Sequence, residues 1–186
     1  MVAKGFHQSE GFDFTDTFNP VVKPTTIRVV LTMALSARWP IHQLDINNAF
    51  LNEDLVEDVY LQQPPGFSSP DSTLVCKLHK AIYGLKQAPR FWFCKLSNTL
   101  ISLGFHSSES DSSIFLRFTP NGTLIILIYV DDIIVTGTSS NLIDCFIAQL
   151  SDNFALKDLG KLHYFLGIEV AWLADGSLHL SQTKYI

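Results

Sequence analysis

Several common signatures are missing from this 186-residue chain. Its three cysteines, Cys76, Cys94 and Cys145, stand far apart and form no C-x-x-C pair. That points away from a disulfide framework and predicts buried free thiols in a reducing compartment. Basic residues are outnumbered 13 to 18 by acidic ones, for a net charge of −5. A nucleic-acid partner would therefore need a local basic patch, or a metal bridging carboxylates to phosphates. No apolar run approaches the roughly 18 residues of a membrane span. The longest, "LIILIYV", is strand-length and stops at two aspartates. The opening "MVAKGFHQSEGFDF" lacks the apolar segment of a signal peptide. His7, His42, His79, His106, His163 and His179 show no ligand spacing, and neither a phosphate-binding G-x-x-x-x-G-K-[ST] loop nor a G-x-S-x-G elbow occurs. There is no internal repeat and no low-complexity tract.

What is present is apolar: 47% of the residues, enough for a sizeable core in one domain or a core with a lobe attached. Residues 1–24 are turn-rich. Pro24-Thr25-Thr26 opens a helical pattern carried by Ile27, Val30, Leu31, Ala34 and Leu35, which Trp39-Pro40 ends. "IHQLDI" reads as a strand running into "NNAFLN", a turn or short helix. "VYLQ" and "LVCKL" are short strands around the breaker-rich "QQPPGFSSPDS". A helix follows Pro89 through Phe91, Leu96, Leu100 and Leu103 and closes at Gly104. Phe91, Trp92 and Phe93 read as core residues. "SIFLRF" and "TLIILIYV" are strands about a Pro120-Asn121-Gly122 turn, and "IIVTG" is the next strand. Ser139-Ser140 caps a helix bearing Leu142, Ile143, Phe146, Ile147 and Leu150. "YFLGIEVAWL", a turn at Ala174-Asp175-Gly176 and "SLHLSQ" close the chain. Helices interspersed with antiparallel hairpins predict an α+β fold.

The most informative stretch is "TLIILIYVDDIIVTG", in which Asp131 and Asp132 lie between two strongly apolar strands. Carboxylates beside Ile, Leu and Val are destabilising unless compensated, and a divalent cation suits two neighbouring acids. A plain acidic hairpin turn is the other reading. Asp45 lies at the end of a second apolar strand, just before a polar turn, where an Asx-turn is the alternative. Asp45 beside Asp131 and Asp132 makes a three-carboxylate site, able to hold two hard cations about 3.5–4 Å apart. One would activate a 3′-hydroxyl; the other would hold a triphosphate and steady the leaving pyrophosphate.

"QLDINNAFLN", "AIYGLKQAPRFWF", "LIYVDDIIVTG" and "LHYFLGIEV" stand in an order and spacing that resembles the reverse transcriptases of copia-type retrotransposons. "VAKGFHQSEGFDFTDTFNPVVKPTTIR" and "LSQTKYI" agree at the two ends, so the likeness covers essentially the whole chain. It implies a right-hand polymerase that copies an RNA or DNA template from a primer with dNTPs. Magnesium would be held by Asp45, Asp131 and Asp132, with manganese as the alternative ion. The palm, a ferredoxin-like antiparallel sheet backed by helices, would comprise residues 23–52 and 89–173. Residues 1–22 would belong to the fingers, 53–88 to a fingers insertion, and 174–186 to the start of a connection to a thumb. Phe50 would screen the sugar 2′ carbon; without the resemblance it reads as a core aromatic. Tyr83, Gly84, Gln87 and Lys4 would lie at the nucleotide. Lys86 and Arg90 would add positive charge near phosphates, unless they are a solvated basic loop. Tyr129 would face the primer, and Leu166 with Gly167 would let its backbone approach closely. Lys157 or Lys161 is a candidate general acid for pyrophosphate, with a surface lysine as the alternative. The resemblance further implies an intracellular life in a cytoplasmic particle or nucleus, with no membrane partner.

The chain departs from the family pattern at its ends. The Lys-x-Arg stretch expected ahead of "VAKG" is absent, and Lys4 alone supplies a point charge rather than a bidentate guanidinium. No thumb, RNase H, protease or integrase sequence is present. The expectation is a polymerase core weak or inactive by itself; the alternative is a non-catalytic retrotransposon remnant, inert or weakly nucleic-acid binding.

Overall fold

The structure is a computed structural model that describes residues 2–71 and 73–182. In chain order its elements are α1 (Pro24–Ser36), β1 (Ile41–Ile46), β2 (Tyr60–Gln62), β3 (Val75–Lys77), α2 (Ala88–Ser102), β4 (His106–Ser107), β5 (Ile114–Thr119), β6 (Gly122–Tyr129), β7 (Asp132–Gly137), α3 (Ser140–Ser151), β8 (Leu156–Lys161), β9 (Tyr164–Phe165), β10 (Ile168–Trp172) and β11 (Leu178–Ser181). Single 3-10 turns occupy Gly5–His7 and Ala49–Asn52. The chain divides into two compact units, residues 20–47 with 97–186 and residues 1–19 with 48–96. The fold is mixed α/β with a largely antiparallel sheet.

The larger unit is built on six strands in the order β4-β5-β6-β7-β1-β8, with every neighbouring pair antiparallel. Strand β6 is buried at five successive positions, Leu124 to Ile128, as in a strand covered on both faces. One face carries Ile41, Ile125, Leu127 and Ile134, clustered with Ile27, Val30, Leu31 and Ala34 of α1 and with Leu162, Phe165 and Val170. Pro24 suits the first turn of α1, where its missing N–H would have no partner anyway. The helix is tied in by a hydrogen bond from Thr26 Oγ1 to Asp111, 2.6 Å long. Helix α3 buries Ile143, Phe146 and Leu150 and packs against β6, β7 and β8; the Ser139 hydroxyl accepts from Leu142 N–H as its cap. A second sheet, β11-β10-β9, completes this unit. The smaller unit holds the β2–β3 hairpin and loops fastened by side chains.

Three features correct the expectations. The thiols are not buried: Cys76 is half-buried, and Cys94 and Cys145 are exposed, though all are unbridged. Of the three aromatics after Pro89, Trp92 is fully buried and Phe91 and Phe93 half-buried. Residues 156–161, read as no element, form the edge strand β8 beside β1. That strand is hard to see because "LKDLGK" is polar, carries Gly160 at φ +73, and shifts register opposite Gln43 and Leu44. The end of the expected connection, residues 183–186, and Met1 lie outside the described residues. No helix among the described residues is long and apolar enough to cross a membrane.

Candidate active site

The acids meet because of register. Strands β1 and β7 pair from Ile41 with Thr136 down to Asp45 with Asp132, so those two carboxylates are directly opposed on one face of the sheet. Strands β6 and β7 pair down to Tyr129 with Asp132, which leaves Val130 and Asp131 as the two-residue loop of a hairpin. The Ile46 N–H donates to the Asp131 carbonyl at 3.2 Å, and the Asn47 N–H to that of Ala155 at 2.9 Å. The acidic turn is thereby fastened to the end of β1. Val130 adopts φ 55, a left-handed conformation that a β-branched residue takes only against strain. Asn48, φ 51, makes the opposing turn after β1, where an asparagine tolerates it.

On its other side Asp45 is paired with Lys157 of β8, so Asp132, Asp45 and Lys157 form one row across three strands. Lys157 thus stands next to an acid, whereas Lys161 Nζ lies 5.4 Å from the centre of the Trp172 ring. All three aspartates are half-buried. Burial, with the charges of Asp131 and Asp45, holds the Asp132 carboxyl above the usual carboxylate range, against a hydrogen bond from Gln43 that pulls it down. Such an anionic cluster is one that a hard divalent cation relieves, and carboxylates are its preferred donors. The side chains do not form a finished cage: among the described residues no three acid, cysteine or histidine groups converge closely enough to hold an ion. What brings the acids to one end of the sheet is the backbone register.

The β9–β10 hairpin of the same unit turns through Leu166, φ 52, and Gly167, φ 79, with Phe165 paired to Ile168. Two successive positive φ values are those of a type I′ turn, strained at the leucine. Tyr129 is half-buried and packs on the α1-facing core.

The remaining candidates lie in the smaller unit, and most are committed to its structure. Phe50 is 5% exposed, its ring 4.4 Å from that of Tyr83 in an edge contact, while Tyr83 itself reaches solvent. Gln87 is fully buried; its amide donates to the Asp13 carbonyl at 2.9 Å and accepts from Gln8 at 3.0 Å. Lys86 Nζ donates to the Gln8 carbonyl and lies 5.1 Å from the Phe14 ring centre, and Arg90 pairs with Asp16 at 3.0 Å. Gly84, at φ +94, lies so close to Ala3 that a Cβ would overlap the Ala3 carbonyl. Lys4 is exposed. Gln43 was not singled out in the sequence, although a polar residue in an apolar strand, two before Asp45 and so on its face, was a readable signal.

The antiparallel sheet thus presents Asp45 at the end of one strand, Asp132 at the start of its neighbour and Asp131 in the adjoining hairpin turn. The reverse transcriptase (RNA-dependent DNA polymerase) family model matches residues 1–186, and the chain belongs to that family. It is 50% identical over 187 aligned residues to the retrovirus-related Pol polyprotein from transposon RE1 of Arabidopsis thaliana, and 48% identical to that from transposon RE2 of the same plant. It is 42% identical to the Pol polyprotein from transposon TNT 1-94 of Nicotiana tabacum. Each alignment covers the whole chain, which spans only 13–14% of the length of these curated relatives.

Proposed function

We infer that the chain is the polymerase core of a retrotransposon Pol polyprotein, an RNA-directed DNA polymerase that adds dNTPs to a primer 3′-hydroxyl. The observation that carries this is the direct opposition of Asp45 and Asp132, with Asp131 in the turn hydrogen-bonded to the end of β1. Asp45, Asp131 and Asp132 are the residues that would hold magnesium or manganese. Bound there, such ions supply charge neutralisation for the attacking oxygen and the leaving pyrophosphate. The chain's own part is to fix three carboxylates on one rim and to keep Asp132 partly shielded from water. The strained, half-buried Leu166-Gly167 turn is the backbone that would lie against a primer strand. In this reading Phe50, buried against Tyr83, is the residue that screens the sugar 2′ carbon.

In this reading residues 23–52 and 89–173 make the palm, and residues 1–22 and 53–88 the fingers. The two compact units follow that division only in part: residues 48–52 and 89–96 of the proposed palm fall in the smaller unit, and residues 20–22 of the proposed fingers in the larger. Template–primer and dNTPs are the partners, together with the thumb, RNase H and integrase modules of a polyprotein.

The test is primer extension on an RNA template, with this chain substituted for the matching segment of the RE1 Pol polyprotein. Extension should occur, and should fall at least about a hundredfold in each of Asp45→Asn, Asp131→Asn and Asp132→Asn, as when preorganised charge stabilisation is removed. Equal extension by wild type and all three variants would overturn the assignment.

A further inference from the structure

We propose that Gln43 is a positioning residue for the acid cluster, holding the Asp132 carboxylate in a fixed orientation beside Asp45. This rests on the polymerase reading above, and extends it to a side chain outside the three acids. Gln43 lies two residues before Asp45 on β1, hence on the same face, opposite Ile134 of β7 and Gly160 of β8. Ile134 lies two residues past Asp132, so Gln43 and Asp132 are diagonal neighbours across the ladder.

Gln43 is 7% exposed, and the face it shares is mainly apolar at the strand centres, with Ile41, Ile125, Leu127 and Ile134. A buried amide on such a face is destabilising unless it is hydrogen-bonded. Its partner is Asp132: Gln43 Nε2 donates to Oδ1 at 3.4 Å. The bond engages one of the two carboxylate oxygens. A neutral donor is the fitting type here. A lysine or arginine would neutralise the acids and repel a cation, an added acid would raise the like-charge repulsion, and an aliphatic side chain would leave the carboxylate to rotate. Second-layer groups that orient a ligand in this way commonly alter metal affinity about 10–100-fold.

Mn²⁺ binding by the intact chain, followed by the EPR signal of free Mn²⁺, tests the assignment without reference to catalysis. Gln43→Met keeps the length and removes the donor, and should weaken Mn²⁺ binding about tenfold. Thr136→Val is the structural control: Thr136 is buried on the same face and donates to the Pro40 carbonyl at 2.8 Å, away from the acids. It should lower the melting temperature and leave Mn²⁺ affinity within twofold of wild type. Should Gln43→Met fail to fold, Gln43→Asn keeps a buried amide but falls one methylene short, and should show the same loss. Wild-type affinity in whichever folded variant is measured overturns the role of Gln43 alone. Absence of Mn²⁺ binding by the wild-type chain overturns the metal-holding reading of the acids and this role with it.

Discussion

The two units hold their candidate residues by different physics. In the larger one, the acids are placed by strand register: Asp45 faces Asp132 because every pair from Ile41–Thr136 onward is in step. In the smaller one, placement relies on individual contacts: Gln8 to Gln87, Gln87 to Asp13, Lys86 to Gln8, Arg90 to Asp16, and glycine packing at Gly5 and Gly84. The lesson is that a ladder can present carboxylates while its backbone carries the load, whereas a loop must use side chains to hold itself. Motif residues in the loop are therefore partly structural.

The sharpest way to break this contrast is at Gly84. Alanine there meets both a positive φ and the Ala3 carbonyl, and Ala3 N–H donates to the Tyr83 carbonyl at 2.7 Å across the same contact. Gly84→Ala should destabilise the smaller unit by about 3 kcal/mol, measured by urea denaturation. A loss under about 1 kcal/mol would mean the segments are not held by this contact. Next is Gln87→Leu, which strands the half-buried Gln8 amide and Asp13 carbonyl and should remove about 2 kcal/mol by the same measurement. A neutral result would free Gln87 for a ligand and weaken the contrast.

The same difference explains what was legible in the sequence. Period and capping gave α1, α3 and the β5–β6–β7 strands, because Ile27, Val30, Leu31 and Ala34 repeat at helical spacing and Ser139 is a hydroxyl cap. Asp45, Asp131 and Asp132 were readable as a set because Asp45 lies at the end of one apolar strand and Asp131-Asp132 at the turn between two others. Strand β8 was not readable: its burial is that of a polar edge, so Lys157 beside Asp45 came only from the pairing. Nor was the burial of Gln87, since a glutamine in "GLKQAPR" looks like solvated loop until Gln8 and Asp13 are seen around it. Cysteine exposure was misread for a related reason: helical cysteines such as Cys94 and Cys145 fall off the buried stripes of α2 and α3.

Val130 sharpens the comparison from the side of the sheet. If the ladder positions the acids, the strained turn can be relaxed without unfolding. Val130→Gly removes the left-handed strain, worth about 1–2 kcal/mol, but adds unfolded-state freedom of about 0.5–1 kcal/mol. Net stability should rise by about 0.5–1 kcal/mol in urea titrations, while primer extension by the polyprotein chimera falls several-fold as Asp131 loosens. Reduced stability would show that the φ 55 conformation is imposed by favourable contacts of the valine itself.

A comparably small effect is expected where the larger unit borrows the smaller one's method. Asp111 is its side-chain clamp: it accepts from Thr26 Oγ1 at 2.6 Å, and from Ser113 Oγ at 2.6 Å and Ser113 N–H at 3.0 Å. Burial pushes its carboxyl up, but the hydrogen bonds of Ser113 and Thr26 outweigh that and leave it below the ordinary value of 3.8. A depressed carboxyl stabilises the fold above the unfolded-state pKa, and that contribution is lost as pH falls through the folded-state value. Wild type should therefore lose more stability than Asp111→Asn on going from pH 5 to pH 3, by a modest margin because the group is mostly solvated. Thr26→Val should cost about 1 kcal/mol at neutral pH and shrink that pH-dependent margin, since one donor to the carboxylate is gone. If instead Thr26→Val removed as much stability as Gly84→Ala, the larger unit would depend on single side chains as heavily as the smaller one, and register alone would not account for where its acids stand.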